Sequence, residues 1–541
     1  MHHPPPAPRS PCRAAWPRRG RARQPHLLRL APNLEVARIN AFSWAISARG
    51  FNVGDNASLS NKLLVLVDGR SVYSLMFGGV YWDMPDILPE DIERIEVISG
   101  PGASLWGANA VNGVINIITR PSTQTQGGWL TLGAGNFERD AGVQYGGQIS
   151  PDLTYRVHGE FSDFSSFNLP GGTSANDAWR QPGGGFRLDW TPLNDTVSVQ
   201  GDLATKTEGP DGFNRESDTE VSWQHRFADG SRFQLLAYYD SSNRGINSAS
   251  SFTVNTYDIE FQHNFTIAGW NSVVWGAGER SFNYTFENTA LALVPPNQTL
   301  NLANIFGQDT IALSDTVKLT LGLKLEDEPY AGWQAMPDLR LVWKPADTIL
   351  LWAAVSRAVR SPTPVDVNLE EFSGPVDFLN GSTAFRPESL VAYQIGTRVQ
   401  VSSRASFSIT GYDSVYDDLR SIEPGTTATG LPLVFGNMMS ANVYGIEAWG
   451  DFQVTQWWRL SPGISALHED LTFLPGSLTV AGLASVADDP PHQASIRSTM
   501  DFGHGVVLWA DLREVGALPH PVVPGYCRAR RQRLLGGHQQ A

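Results

Sequence analysis

Residues 91–120 read DIERIEVISGPGASLWGANAVNGVINIITR. Ile92, Ile95, Val97 and Ile98 make an apolar, β-branched run. It stops at Ser99-Gly100-Pro101-Gly102, so it reads as a strand followed by a tight turn. Leu105-Trp106-Gly107 bridges to a second β-branched run, residues 114–119. Gly107 and Gly113 punctuate the bridge, where a bend or a close backbone approach is expected. Pattern alone fits a strand–turn–strand in any α+β domain, so the flanking sequence has to decide.

Upstream, residues 28–39 give the end of a helix, a Pro32-Asn33 turn and a short strand. Residues 44–51 (WAISARGF) give another strand, ending at Gly50. Residues 63–67 are a buried apolar strand, and Asp68-Gly69 is a tight-turn signal. Residues 73–83 (YSLMFGGVYWD) are aromatic and poorly periodic, hence a loop. Residues 28–121 therefore read as a small α+β domain, large enough for a core of its own.

Downstream of Pro121 the pattern changes to period-2 alternation. Leu153, Tyr155, Val157 and Phe161 alternate with Thr154, Arg156, His158, Glu160 and Ser162. Val317, Leu319, Leu321, Leu323 and Leu325 alternate with Lys318, Thr320, Gly322, Lys324 and Glu326. Segments of about ten residues suit a tilted strand crossing a bilayer. Tight links alternate with long polar ones, such as residues 165–185, 361–382 and 468–491. Trp190, Tyr238, Trp270, Trp352, Trp457 and Trp458 near strand ends fit interface girdles. Residues 127–520 then hold about 18 to 20 strands of a transmembrane β-barrel, lipid outside and polar lumen inside. A soluble sandwich or propeller would need short turns throughout.

Composition agrees. Of 541 residues only 17% are charged, 10% are aromatic and 52 are Gly, against about 25% charged in soluble domains. The longest apolar runs, such as residues 349–355, are far too short for a transmembrane helix. The net charge is −14, and eleven Arg sit in residues 1–30 and 515–541, which hold no acid. Residues 31–514 thus carry −25, which argues against nucleic acid as a partner. Cys12 and Cys527 lie near the two ends and make no disulfide framework.

Residues 1–27 hold seven Pro and six Arg and no apolar signal segment. They read as aberrant, disordered text from a shifted frame or misassigned start. Residues 521–541 (Arg-rich, with no alternation) read the same way. The expectation is an incomplete barrel whose closing strands are missing.

The sequence resembles TonB-dependent outer-membrane receptors over residues 28–526. The matching stretches are ISARGF (46–51), LVLVDGRSVY (64–73), the run from Gly100 to Arg120, VSRAVRSP (355–362), FRPESLVAYQIGTR (385–398), GYDSVYDDL (411–419) and VYGIEAW (443–449). Asp68, Gly69, Glu93, Arg94, Gly100, Pro101, Gly107 and Gly113 mark the plug signature. The resemblance implies an antiparallel barrel of about 22 strands with an N-terminal α+β plug domain, residues 28–121, in its lumen. It implies a monomer in the Gram-negative outer membrane, its plug and termini on the periplasmic side. It implies active uptake of a scarce nutrient, first an iron–siderophore complex, with haem or cobalamin as other family ligands. The implied partners are TonB with ExbB–ExbD, outer-membrane lipid and the chelated ligand. A TonB box and a secretory signal are not recognisable, so the chain as written is expected to be non-functional in export or energising. A passive porin or structural barrel is the rival reading; the plug signature speaks against it.

Arg49 and Glu447 are the candidate plug–barrel link, because a guanidinium can fork onto a carboxylate. Where the family often has a second wall glutamate this chain has Gln394. Ligand contact is expected from the plug's outward loops, residues 52–58 and 73–83: Asn52, Tyr73, Phe77, Tyr81, Trp82 and Asp83, the aromatics forming a floor. Glu93 and Arg94 also read as ordinary solvated strand charges. The eleven His show no metal-ligand spacing. No catalytic constellation or phosphate loop emerges, so neither an enzyme nor a resident cofactor is expected.

Overall fold

The computed structural model describes residues 24–52, 60–83, 87–247, 250–288, 291–483, 486–504, 506–519 and 522–535. The stretch at residues 91–120 forms two strands, Ile92–Ser99 and Gly113–Thr119, joined through a short helix, Ala103–Trp106. The strands pair antiparallel, with Val97 opposite Ile115. Leu63–Val67 lies parallel on the other side of Gly113–Thr119, and Arg70–Ser71 closes the four-stranded sheet. Asp68 and Gly69 both adopt positive φ (53° and 114°), the backbone a two-residue hairpin needs. Leu63–Val67 is buried throughout, and Val114, Ile115 and Ile117 are fully buried beside it. Each such side chain contributes about 1.5–3 kcal/mol by leaving water. A hairpin of Glu35–Arg38 and Trp44–Ser47 and a helix at Gln24–Leu28 complete the domain. Leu27 packs into its core, so the ordered domain starts inside the segment expected to be aberrant.

Twenty long antiparallel strands, from Gly127–Ala134 to Tyr526–Leu535, form a closed barrel around this domain; Leu291–Leu293, Leu369–Ser373 and Val376–Asn380 add short strands in its loops. Alternation decides which side chains face where. On Val317–Glu328, Leu321, Leu323 and Leu325 are exposed on the outer face, while Lys324 and Glu326 are buried inward. No described helix is long and apolar enough to cross a membrane.

Closure corrects the expectation of an open barrel. Tyr526–Leu535 pairs along the whole of Val506–Val515 and also neighbours Gly127–Ala134. Ladder hydrogen bonds come from the backbone, so an Arg-rich segment can still satisfy an edge that would otherwise stay unpaired in lipid. The girdle expectation also divides. Trp190, Trp270 and Trp457 are outward and about half exposed, all at the rim of short turns. Tyr238 and Trp352 are buried instead. The opposite rim carries the long connections, including residues 361–387 with a helix at Pro364–Asn368, and residues 474–491.

Candidate functional site: the plug seat

After the strand Trp44–Ser47 the chain turns sharply. Arg49, Gly50 and Phe51 have φ of 54°, 97° and 63°, three successive left-handed residues. Such backbone is costly for a non-glycine residue and persists where the surroundings fix it. Here it aims Arg49 at the barrel wall. Arg49 donates Nε to Glu447 Oε1 (3.0 Å), Nη2 to Glu447 Oε2 (3.2 Å) and Nη1 to Gln394 Oε1 (3.1 Å). The Tyr412 ring lies 4.1 Å beneath the guanidinium. Burial alone would make Arg49 easier to deprotonate; Glu447 overturns this and raises it above its ordinary value. Gln394 stands in for a second carboxylate as a neutral acceptor.

The signature turn is built around this contact. A Cβ on Gly100 (φ 81°) would come within 2.7 Å of Arg49 Nη1 and of the Gln394 amide. Gly107 (φ 86°) likewise leaves room for Glu326, whose Oε1 accepts from Ala108 N at 2.9 Å. Gly113 passes close to the Ile98 carbonyl within the sheet, and Pro101 is buried in the turn. Asp68 accepts from Thr119 N (2.8 Å) and Thr119 Oγ1 (2.6 Å), pinning the hairpin to the neighbouring strand. Arg94 pairs with Glu93 (3.1 Å) and Glu96 (2.8 Å) on its own strand.

Further ion pairs seat the plug, Asp91 with Arg156 and Asp68 with Arg187 (both 3.6 Å) among them. Arg70 reaches Asp218 (2.9 Å) and Asp240 (2.5 Å). Arg244 forks onto Asp83 (2.9 and 3.0 Å), and Lys206 joins at 3.2 Å. Burial alone would push the Asp83 carboxyl up; Arg244 and Lys206 hold it well below the usual carboxylate range. Lys62 pairs with Glu388, which meets Arg360 at 3.0 Å; Arg360 and Arg420 both pair with Asp366 (2.8 and 3.2 Å) in the Pro364–Asn368 helix. That chain ties the plug to the 361–387 connection. Among the described residues no cluster of His, Cys, Asp and Glu could hold a metal.

The expected aromatic floor is not assembled. Tyr73 is buried, its hydroxyl donating to Asn61 O (2.9 Å), and Trp82 is buried in the plug core. Phe77 and Tyr81 pack on Phe252 of the wall (5.1 and 6.3 Å), with the Arg244 guanidinium 4.1 Å over Tyr81. Apolar loop surface buries itself against the nearest apolar wall. Asn52 donates its N–H to Asp489 (2.7 Å) in the 474–491 connection; residues 53–58 lie outside the described residues. Asn52, Lys62, Phe77 and Asp83 all meet the wall beside the long-connection rim.

Lys62, Arg70, Lys206, Arg244, Glu326 and Glu388 were not among the expected site residues. The wall members lie on the inward phase of their strands, which the period-2 pattern could have flagged. Their plug partners could not be read that way, because pairing depends on how the plug is rotated in the lumen.

A family model described as "TonB dependent receptor-like, beta-barrel" matches residues 127–525, and "TonB-dependent Receptor Plug Domain" matches residues 18–114. The chain belongs to the TonB-dependent receptors. A vitamin B12 transporter, BtuB, of Vibrio vulnificus is 33% identical over 146 residues, which take in 26% of this chain and 22% of that protein. An iron-regulated outer membrane virulence protein of Vibrio cholerae is 25% identical over 461 residues, 76% of this chain and 68% of that protein. Among solved structures, a variant of the ferric enterobactin receptor PfeA of Pseudomonas aeruginosa in complex with enterobactin superposes with a TM-score of 0.76, at 15% identity, covering 94% of this chain and 88% of that one. The siderophore receptor PirA of the same organism gives 0.70 at 18% identity, with the same two coverages. These receptors and transporters share the plugged-barrel fold; none is named as an enzyme.

Proposed function

We propose that this TonB-dependent receptor sits in the outer membrane as a monomer and takes up a chelated nutrient, in the first place an iron–siderophore complex. The plug faces the periplasm on the short-turn rim, and TonB with ExbB–ExbD supplies the pull. The observation that carries this reading is the seat itself. A folded domain blocks the lumen and is held by buried or half-buried ion pairs at Arg49, Lys62, Arg70 and Asp83. Such pairs demand good geometry while dry and are worth only about 0–1 kcal/mol once water surrounds them. A plug held this way resists thermal loss yet releases when force lets water in, and it can reseat. A passive porin would have no use for it. Ligand arrives at the long-connection rim, where Asn52, Phe77 and Tyr81 are the nearest plug candidates among the expected contacts.

The siderophore class rests on likeness to PirA and PfeA; the BtuB alignment favours cobalamin as the second reading. The test is growth of a receptor-deficient Gram-negative host expressing the chain under iron limitation, with and without TonB. Siderophore-dependent growth that vanishes without TonB is expected. Growth indifferent to TonB would sink the proposal, and growth only with cobalamin as the limiting nutrient would select the second reading.

A further inference from the structure

A cavity of about 660 Å³ lies between the start of the plug and the last strands of the wall. Among the described residues it is lined by seven arginines and three carboxylates (Glu138, Asp451 and Asp511), an excess of four positive charges. The volume falls within the range of small-molecule sites. Phe137, Trp509 and Tyr526 add apolar and aromatic lining.

Arg497 and Arg513 are short of acceptors. Arg513 is 7% exposed; it donates Nη2 to Gln493 Oε1 (2.5 Å) and stands 3.5 Å from Glu35, while among the described residues its Nη1 has no hydrogen-bond partner. Arg497 donates Nη2 to Leu30 O (3.1 Å), and its buried Nε has no partner among the described residues. Arg29 of the plug directs Nε and Nη2 to a single carbonyl, Val36 O, and its Nη1 lies 3.4 Å from His26 Nδ1. Exposed Arg528 and Arg530 of the closing strand face the same space. Neighbouring groups register the crowding. Burial, then Arg29 and Arg38, hold His26 down to about 3, so its ring stays neutral. A buried guanidinium N–H without an acceptor is destabilising, and a bound anion would remove that cost. The positions are luminal: Arg497 and Arg513 adjoin Ile496 and Leu512, which are exposed on the outer face. The strand wall therefore separates the cavity from lipid headgroups.

We infer that this cavity binds a soluble organic polyanion, a flat or aromatic molecule with two or more acidic groups, at a site separate from the Arg49 seat. The inference does not depend on TonB coupling or on the nutrient taken up.

The full chain in detergent micelles is titrated with pyranine, an aromatic trisulfonate, followed by fluorescence anisotropy, beside neutral pyrenemethanol. Saturable binding of pyranine is expected, about tenfold or more tighter than pyrenemethanol. Arg497→Gln with Arg513→Gln should weaken it about tenfold or more, and Lys344→Gln near the end of the strand Gly332–Ala346 should not. Ser495→Glu places a carboxylate in the cavity; it should abolish pyranine binding and raise the melting temperature, which tests the excess charge even if the double variant folds poorly. Absent saturation, equal affinity for pyrenemethanol, an undiminished affinity in a folded double variant, or a lower melting temperature for Ser495→Glu would each overturn the inference. Displacement of pyranine by phosphatidylglycerol in mixed micelles would also overturn it, by making the site a lipid site.

Discussion

The inside of the plug and its outside are held by different physics. Inside, Leu63–Val67 and Gly113–Thr119 meet through side chains such as Val65 and Ile115, both with no exposed surface. Outside, the plug meets the wall through apolar contacts such as Phe77 on Phe252 and, in addition, through Arg49, Lys62, Arg70 and Asp83, each paired with an opposite charge. Apolar burial is non-directional and grows with area, so the sheet is cohesive and tolerant. The ion pairs are directional and lose most of their worth when water enters, so the seat is specific and separable. A domain that must stay folded or unfold locally while leaving its wall needs that division.

The comparison can be broken most sharply at Arg49. Arg49→Leu leaves the Glu447 carboxylate buried at 2% exposure without its partner, and should cost about 3–5 kcal/mol. Urea unfolding of the detergent-solubilised protein reads this directly. Replacing both Arg49 and Glu447 by Leu should recover most of the loss; a double variant no better than the single would mean that charge pairing is not what seats the plug. Inside the sheet, Ile115→Ala should cost about 2–5 kcal/mol through lost contact and a cavity, and no second substitution at the wall should rescue it.

Asp83 sharpens the comparison through pH. Asp83→Asn removes charge-assisted bonds from Arg244 and Lys206 and should cost about 2 kcal/mol at neutral pH. The folded carboxyl is held below its ordinary value, so its stabilisation is complete above the unfolded value of about 3.9. It is lost as pH falls below that. The gap between wild type and Asp83→Asn, from urea curves across pH, should be constant from about pH 7 to 5 and narrow below about pH 4. A gap that widens on acidification would reverse the assignment. Last, among the described residues Arg94 pairs within its own strand, so Arg94→Gln should stay within about 0.5 kcal/mol. A larger loss would show that signature charges do more than solvate the strand.

Period-2 alternation determined the barrel strands and their inward faces, because a strand in lipid must bury its polar side. Asp68-Gly69 determined its hairpin, because few residues tolerate two positive φ values in succession. The signature at residues 91–120 marked the plug, and its resemblance pointed to Arg49 and Glu447 before any geometry was available. Tertiary structure alone decided the rest. Arg49 and Glu447 are 398 residues apart, and their meeting depends on the plug's rotation within the wall, which no local pattern encodes. The same holds for Arg70 with Asp218 and for Lys62 with Glu388. The aromatic loop at residues 73–83 looked free to meet a ligand, yet most of it packs away, since exposed apolar surface takes the nearest apolar neighbour. The Arg-rich stretch at residues 526–535 has no strand signature in its side chains, but it closes the barrel, because an edge in lipid is satisfied by backbone whatever the side chains are.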